Sequence, residues 1–147
     1  MTHTVASVLL ADIMQLRVAV LRKDTPATDC NYPEDSYPDV VHFGIIHDGI
    51  AIATSSWFMK ECPELPDVPA MQLKGMAVAD HVQGEGLGAL LIDAGLRLAT
   101  TQGASIVWAR ARDSAMGFYE RLGFVSTGDG FIDGPTAMPH HIVVRTL

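Results

Sequence analysis

The chain has 147 residues, 48% hydrophobic, 18% charged and 7% aromatic, which is enough to bury a core without staples and excludes disordered, collagen-like and low-complexity classes. Ten Lys and Arg against 17 Asp and Glu leave a net charge of −7, the wrong sign for a protein that gathers nucleic acid through its phosphates. Cys30 and Cys62 lack a CxxC spacing and read as reduced thiols, although a single bridge is compatible with the count. No apolar run reaches the ~20 residues of a membrane span, and the N-terminus lacks a basic region and cleavage site. The expectation is one domain over residues 1–147, soluble and cytoplasmic, with no nucleic-acid or membrane partner.

In chain order, Thr4 to Leu10 reads as a short strand, after which Ile13, Leu16, Val20 and Leu21 recur at helical spacing with Asp12 as cap. Lys23 to Asp39 holds Pro26, Pro33 and Pro38 among Asp29, Glu34, Asp35 and Asp39 and reads as an exposed acidic loop. Val40 to His47 and Ile50 to Phe58 are strands flanking Asp48-Gly49, a hairpin turn whose two positions need positive φ. After a Pro-rich break from Cys62 to Pro69, Met71 to Val78 reads as another strand. From Gly86 a helix places Leu87, Leu90, Leu91, Ala94 and Leu98 on one face and stops at Gly103. Ile106 to Ala111 is a strand; Asp113 or Ser114 then caps a helix with Ala115, Phe118 and Leu122 inward and Gly123 as its left-handed end. Phe124 to Thr127 and His141 to Thr146 complete the order β-α-β-β-β-α-β-α-β-β, an α/β fold with a mixed central sheet flanked by helices.

The segment Met76 to Ala89 joins a strand to glycines that open a helix. The first N–H groups of a helix have no internal partner and the macrodipole adds positive potential, so an anion docks where glycines let the backbone approach. The alternative is a glycine turn that serves packing alone. Gly84-Glu85-Gly86-Leu87-Gly88 is G-x-G-x-G, with neither the Rossmann spacing and its downstream acid nor the GK[ST] of a P-loop.

Gln83-x-x-Gly86-x-Gly88, behind the apolar run Leu73 to Val78, resembles the Q/R-x-x-G-x-G/A signature of the GCN5-related N-acetyltransferase (GNAT) superfamily. Ala111 to Phe124 resembles its second block, A-x-x-F-Y-x-x-L-G-F. Leu16-Arg17 with Val20-Leu21-Arg22 is similar to the first helix of many members, and Pro139-His140-His141 before a last strand also recurs there. The resemblance implies a single-domain acyl-CoA N-acyltransferase fold with acetyl-CoA or a related acyl-CoA as cosubstrate. It places pyrophosphate on the amides of Gln83, Gly84, Glu85, Gly86, Leu87, Gly88 and Ala89. Pantetheine then runs along Met76, Ala77 and Val78, where a backbone amide serves as oxyanion donor. It further implies that Tyr119 gives a proton to the leaving thiolate, the alternative being an ordinary interfacial tyrosine. Arg112 stands where related proteins often carry Asn near the pantetheine or diphosphate, or else is a solvated surface cation.

One departure matters: the family often sets a carboxylate base on the strand before the glycine turn, and Met71 to Met76 contains none. The base is left open between a water chain, Glu61, Glu64, His42 and His140. His140 and His141 are successive strand residues that face opposite sides, with no third ligand at a recognisable spacing, so no metal is expected. Cys62 has no nearby His to activate it, and Trp57, Phe58 and Trp108 read as core or cleft wall. The resulting expectation is acetyl transfer from acetyl-CoA to a primary amine of a small molecule, by direct attack in a ternary complex. The acidic loop favours a cationic amine, and a homodimer is left open. Two other readings stand beside it: a CoA-binding sensor or interaction module without turnover, and acetylation of a protein lysine or N-terminus.

Overall fold

The computed structural model describes residues 3–147. Its elements are β1 (Ala6–Val8), α1 (Leu10–Leu21), β2 (Val41–His47), β3 (Ile50–Met59), β4 (Ala70–Val78), α2 (Leu87–Thr101), β5 (Ile106–Arg112), α3 (Met116–Arg121), β6 (Val125–Ile132) and β7 (Pro139–Thr146), the order expected from the sequence. The strands form one mixed seven-stranded sheet in the order β1-β2-β3-β4-β5-β7-β6. Two compact units divide the described residues: those up to Phe58 with Leu73–Gly95, and Met59–Gln72 with Leu96–Leu147.

In the first unit β2 and β3 pair antiparallel about Asp48-Gly49, whose φ values of 52° and 76° are the two positive angles that the turn requires. Ala51 and Ile52 are neighbours in β3 and so face opposite sides. Ala51 packs with Ile13 and Leu16 of α1, and Ile52 with Leu87 and Leu91 of α2, which puts a helix on each side of the strands. Asp12 does not precede α1 as its cap. It sits inside the first turn, where its carboxylate accepts the Leu9 N–H at 3.0 Å, and the helix therefore starts at Leu10 and the first strand ends earlier than expected. The buried side of α2 is also rotated: Leu90 is 42% exposed, whereas Leu91 and Ile92 are buried. Gly95 explains the rotation, because a Cβ there would overlap the Trp57 indole; only glycine lets the helix lie so close to that ring.

The acidic loop is the largest correction. Pro33–Ser36 forms a 3-10 turn whose Glu34 is buried, and the Asp35 side chain is 9% exposed. Carboxylates enter a protein interior only when paired, and both of these are.

In the second unit, β7 pairs antiparallel with β5 and with β6, the latter ladder broken between Thr127 and Phe131. Trp108, Ile142 and Val144 share a buried cluster with Cys62 and Ala70, and the Trp108 indole N–H donates to the Lys60 carbonyl at 2.8 Å. Neither Asp113 nor Ser114 caps α3: a 3-10 turn over Asp113–Ala115 intervenes and Ala115 is the cap residue. The Asp113 carboxylate instead takes the His141 Nδ1–H at 2.7 Å. The inward side of α3 is shifted by one position, so that Tyr119 is buried while Phe118 remains half-exposed. Tyr119 lies edge-on to Phe118 and Phe124, at ring separations of 5.1 and 5.4 Å. Gly123, at φ 87°, ends the helix as the sequence suggested.

Candidate active site

The glycine turn belongs to the first unit. After β4, a 3-10 turn over Asp80–Val82 leads to Gly84 and Gly86, at φ 84° and 83°. A Cβ built at either would meet nothing within 4 Å, so it is the backbone angle that demands glycine, and the space above the turn is open. The Leu90 N–H bonds the Gly86 carbonyl at 3.3 Å. This leaves the amides of Leu87, Gly88 and Ala89 as the unpaired donors of the first turn of α2. Glu85 is exposed between the two glycines. Gln83 braces the connection, its Nε2 donating to the Val78 carbonyl and Asp80 Oδ1, both at 3.2 Å. Unpaired amides at a helix start are the kind of geometry that suits an anion.

β4 leads into the turn through a glycine that the sequence reading did not single out. Gly75 has φ 68° in mid-strand, and a Cβ there would lie 3.1 Å from both Arg17 Nε and Tyr32 Cε2. A lone glycine within a strand pattern is the signal for such a backbone position. Immediately after it, Met76 and Val78 pack toward Leu87 and Leu91, while Ala77 packs toward Ile13 and Leu16. The three side chains are committed to the core on both sides.

Arg17 was also missed. It is fully buried and donates twice to Asp35, Nη1 to Oδ2 and Nη2 to Oδ1 at 2.8 Å each. It also reaches the Cys30 carbonyl at 3.0 Å and Ser56 Oγ at 2.7 Å, while Nε has no partner among the described residues. Burial pulls the Asp35 carboxyl up, but the Arg17 hydrogen bonds, the Tyr32 N–H and the charges of Arg17 and His42 outweigh it and hold its pKa below the ordinary value. Tyr32 lies between two cations, with Arg17 at 4.5 Å and Lys74 at 4.4 Å from its ring centre; burial, then the Cys30 thiol, push its pKa up. Lys74 Nζ in turn binds Glu34 at 2.9 Å. The signal was present: Arg17 falls among Ile13, Leu16 and Val20 on the apolar side of its helix. One consequence is a correction, since Glu34 and Asp35 are neutralised by Lys74 and Arg17 and cannot serve as free carboxylates that draw in a cationic acceptor.

Of the four side chains named as possible bases, His42 and Glu61 are engaged in hydrogen bonds. His42 Nδ1 lies 2.7 Å from Ser56 Oγ, and its Nε2 faces Asp35 at 4.0 Å. With Nε2–H toward the carboxylate, Nδ1 accepts the Ser56 proton and has no free lone pair. Burial, then Arg17, lower the His42 pKa against the opposing pull of Asp35. Glu61 accepts the Asp67 N–H at 2.9 Å, and Glu64 is exposed and lies over Gly128, where a Cβ would come within 2.6 Å of its carboxyl carbon. His140 is 6% exposed and stacks on Phe131 at 5.7 Å.

Tyr119 and Arg112 belong to the second unit. Burial pushes the Tyr119 phenol up to about 12. Arg112 closes β5, half-buried and opposite His140 in the ladder. Cys30 and Cys62 are both buried free thiols. Among the described residues no group of three His, Cys, Asp or Glu is arranged to hold a metal ion.

A model of the acetyltransferase (GNAT) family matches residues 10–124. The chain is 29% identical over 143 residues to YitI, an uncharacterized N-acetyltransferase of Bacillus subtilis (strain 168), covering 97% of this chain and 95% of that protein. Its fold is that of Escherichia coli ElaA, with a TM-score of 0.77 at 20% identity over 98% and 99% of the two chains. An acyl-CoA N-acyltransferase from Pseudomonas aeruginosa matches at 0.76 and 20% identity, over 99% of each.

Proposed function

Since the chain belongs to the acetyltransferase (GNAT) family, we propose that it moves an acetyl group from acetyl-CoA to a primary amine of a small molecule, by direct attack with both substrates bound. The observation that carries this reading is the open turn at the head of α2, where Gly84 and Gly86 hold positive φ and the next amides lack internal partners. A diphosphate is the ligand such a cradle suits, because two adjacent anionic groups use several amides and the helix dipole together. In this reading the amides from Gln83 to Ala89 hold the diphosphate, with Arg112 as an added cation, and pantetheine follows Met76, Ala77 and Val78. A backbone amide on that stretch stabilises the oxyanion as the amine nitrogen bonds to the acyl carbon.

Tyr119 faces the departing sulfur in this scheme. A phenol at about 12 holds its proton more tightly than a thiol at ~8.5. Its contribution is therefore a hydrogen bond to the sulfur as the C–S bond breaks, and the final proton reaches the thiolate from solvent. Among the described residues no helix is long and apolar enough to cross a membrane, and with two buried free thiols the chain suits the reducing cytoplasm.

The test is calorimetric titration with acetyl-CoA, followed by a screen for thiol release with tyramine, spermidine and glycine methyl ester as probe amines. Binding that is lost in a folded Gly86→Val variant, together with amine-dependent thiol release, is the expected result. Absence of binding overturns the whole reading, and binding without release by any amine favours the sensor.

A further inference from the structure

Gly75 stands directly before Met76, Ala77 and Val78, the segment whose backbone amide stabilises the oxyanion in the reading above, and it holds φ 68° inside a strand. Glycine adopts positive and negative φ about equally, so the residue does not select this angle by itself. Its neighbours do. A Cβ at Gly75 would lie 3.1 Å from both Tyr32 Cε2 and Arg17 Nε, so a ring edge and a guanidinium occupy the space that a side chain would take. The angle also changes direction along β4. Residues three apart in an uninterrupted strand face opposite sides, yet Lys74 and Ala77 both meet groups around α1. Lys74 lies over the Tyr32 ring that Arg17 of that helix also covers, and Ala77 packs with Ile13 and Leu16. The alternation is lost at Gly75, and the peptides after it are re-aimed.

Tyr32 is itself pinned on several sides. Its N–H donates to Asp35 Oδ2 at 2.9 Å and its hydroxyl accepts the Cys30 thiol at 3.3 Å, while Arg17 and Lys74 lie 4.5 and 4.4 Å from its ring centre. Both cations are anchored in turn, Arg17 by Asp35, the Cys30 carbonyl and Ser56, and Lys74 by Glu34. Such contacts gain strength when desolvated. Tyr32, Arg17, Lys74, Gly75 and Met76 all belong to the first unit.

We propose that Tyr32 is a positioning residue for the acetyl transfer: its ring holds Gly75 at positive φ and thereby aims the backbone of Met76 to Val78 at the thioester carbonyl oxygen. No atom of Tyr32 joins in making or breaking a bond. What the ring supplies is the direction of an amide donor, which must be set before charge develops on the oxygen, because a preorganised donor costs no rearrangement at the moment of reaction and a misplaced one loses most of its effect. The inference rests on the acetyl-transfer reading, and within it on the oxyanion segment.

Infrared difference spectra with acetyl-CoA labelled with carbon-13 at the acetyl carbonyl give the C=O frequency of the bound thioester, which falls when an amide donates to the oxygen. Wild type should lower that frequency relative to free acetyl-CoA. Tyr32→Leu should lower it less, and its kcat with the best of the three probe amines should fall by about 10², with the dissociation constant and binding stoichiometry for acetyl-CoA as in wild type. Tyr32→Phe keeps the ring and should recover most of both signals. Gly75→Ala alters the same backbone angle and should lose the frequency shift as Tyr32→Leu does, which decides the matter if Tyr32→Leu does not fold. A role in folding alone would lower the stoichiometry and leave the bound carbonyl unchanged. Wild-type frequency and kcat in folded Tyr32→Leu, or wild-type frequency in Gly75→Ala, overturns the role of Tyr32 alone. Wild-type protein that binds no acetyl-CoA overturns the acetyltransferase reading, and one that binds it without lowering the frequency overturns the oxyanion segment; this role falls with either.

Discussion

Arg17 and Asp35, 18 positions apart, face each other through two parallel hydrogen bonds of 2.8 Å with side chains 0% and 9% exposed. The pair ties α1 to the turn that follows it. Removing one partner leaves the other charge buried alone, so Arg17→Met should cost about 3–5 kcal/mol. The double variant Arg17→Met with Asp35→Leu should lose less than the sum of the singles. Urea unfolding measures both, and a loss below ~1 kcal/mol for Arg17→Met would show that the pair is effectively solvated.

The same cluster sets the acid stability. His42 is held below its ordinary 6.5 and Asp35 below its ordinary 3.8. For each, the unfolded chain binds more protons at pH values between the two states' pKa values, so stability rises with pH. The His42 contribution is complete above 6.5 and is lost as pH falls through the folded value. That of Asp35 persists to 3.8 and is lost below. Melting temperature should therefore decline on acidification in two stages, and His42→Gln should remove the first. A melting temperature that does not change between about pH 7 and about pH 5 contradicts this.

Gly75 and Gly84 both hold positive φ, 68° and 84°, but only Gly75 has atoms waiting at 3.1 Å. Alanine at Gly84 should cost about 1 kcal/mol from backbone angle alone. At Gly75 it should cost ~1–3 kcal/mol, with the Tyr32 and Arg17 neighbours displaced as well. Equal stability losses in the two variants would mean that Gly75 is not packed as described.

Tyr119→Phe should reduce turnover by ~10²–10³ while leaving acetyl-CoA affinity unchanged, since a hydrogen bond made only as charge develops on sulfur is what is removed. The buried phenol, raised from 10.0 to about 12, contributes stability that is present below 10 and lost as pH rises toward 12. Wild type should therefore weaken in strong alkali more than the phenylalanine variant. Unchanged turnover with chemistry rate-limiting would assign Tyr119 to packing.

The element order, the Asp48-Gly49 hairpin and the glycine turn were legible in the sequence because each depends on local rules: periodicity, paired positive φ and the unpaired amides of a helix start. These rules act within a few residues, and the chain obeys them wherever it folds. The loop from Lys23 to Asp39 was misread for the opposite reason. Composition says only that Glu34 and Asp35 are charged; whether they are solvated depends on Arg17 and Lys74, which lie far off in sequence and meet them only on folding. The rotation of α2 was likewise decided by Trp57 pressing on Gly95, and that of α3 by Phe124 beside Tyr119. What each of the possible bases is bonded to has the same origin. Four side chains looked equivalent as residue types, and the hydrogen bond from Nδ1 of His140 to Met138 sets its tautomer, a property that residue type alone leaves open because either ring nitrogen can carry the proton.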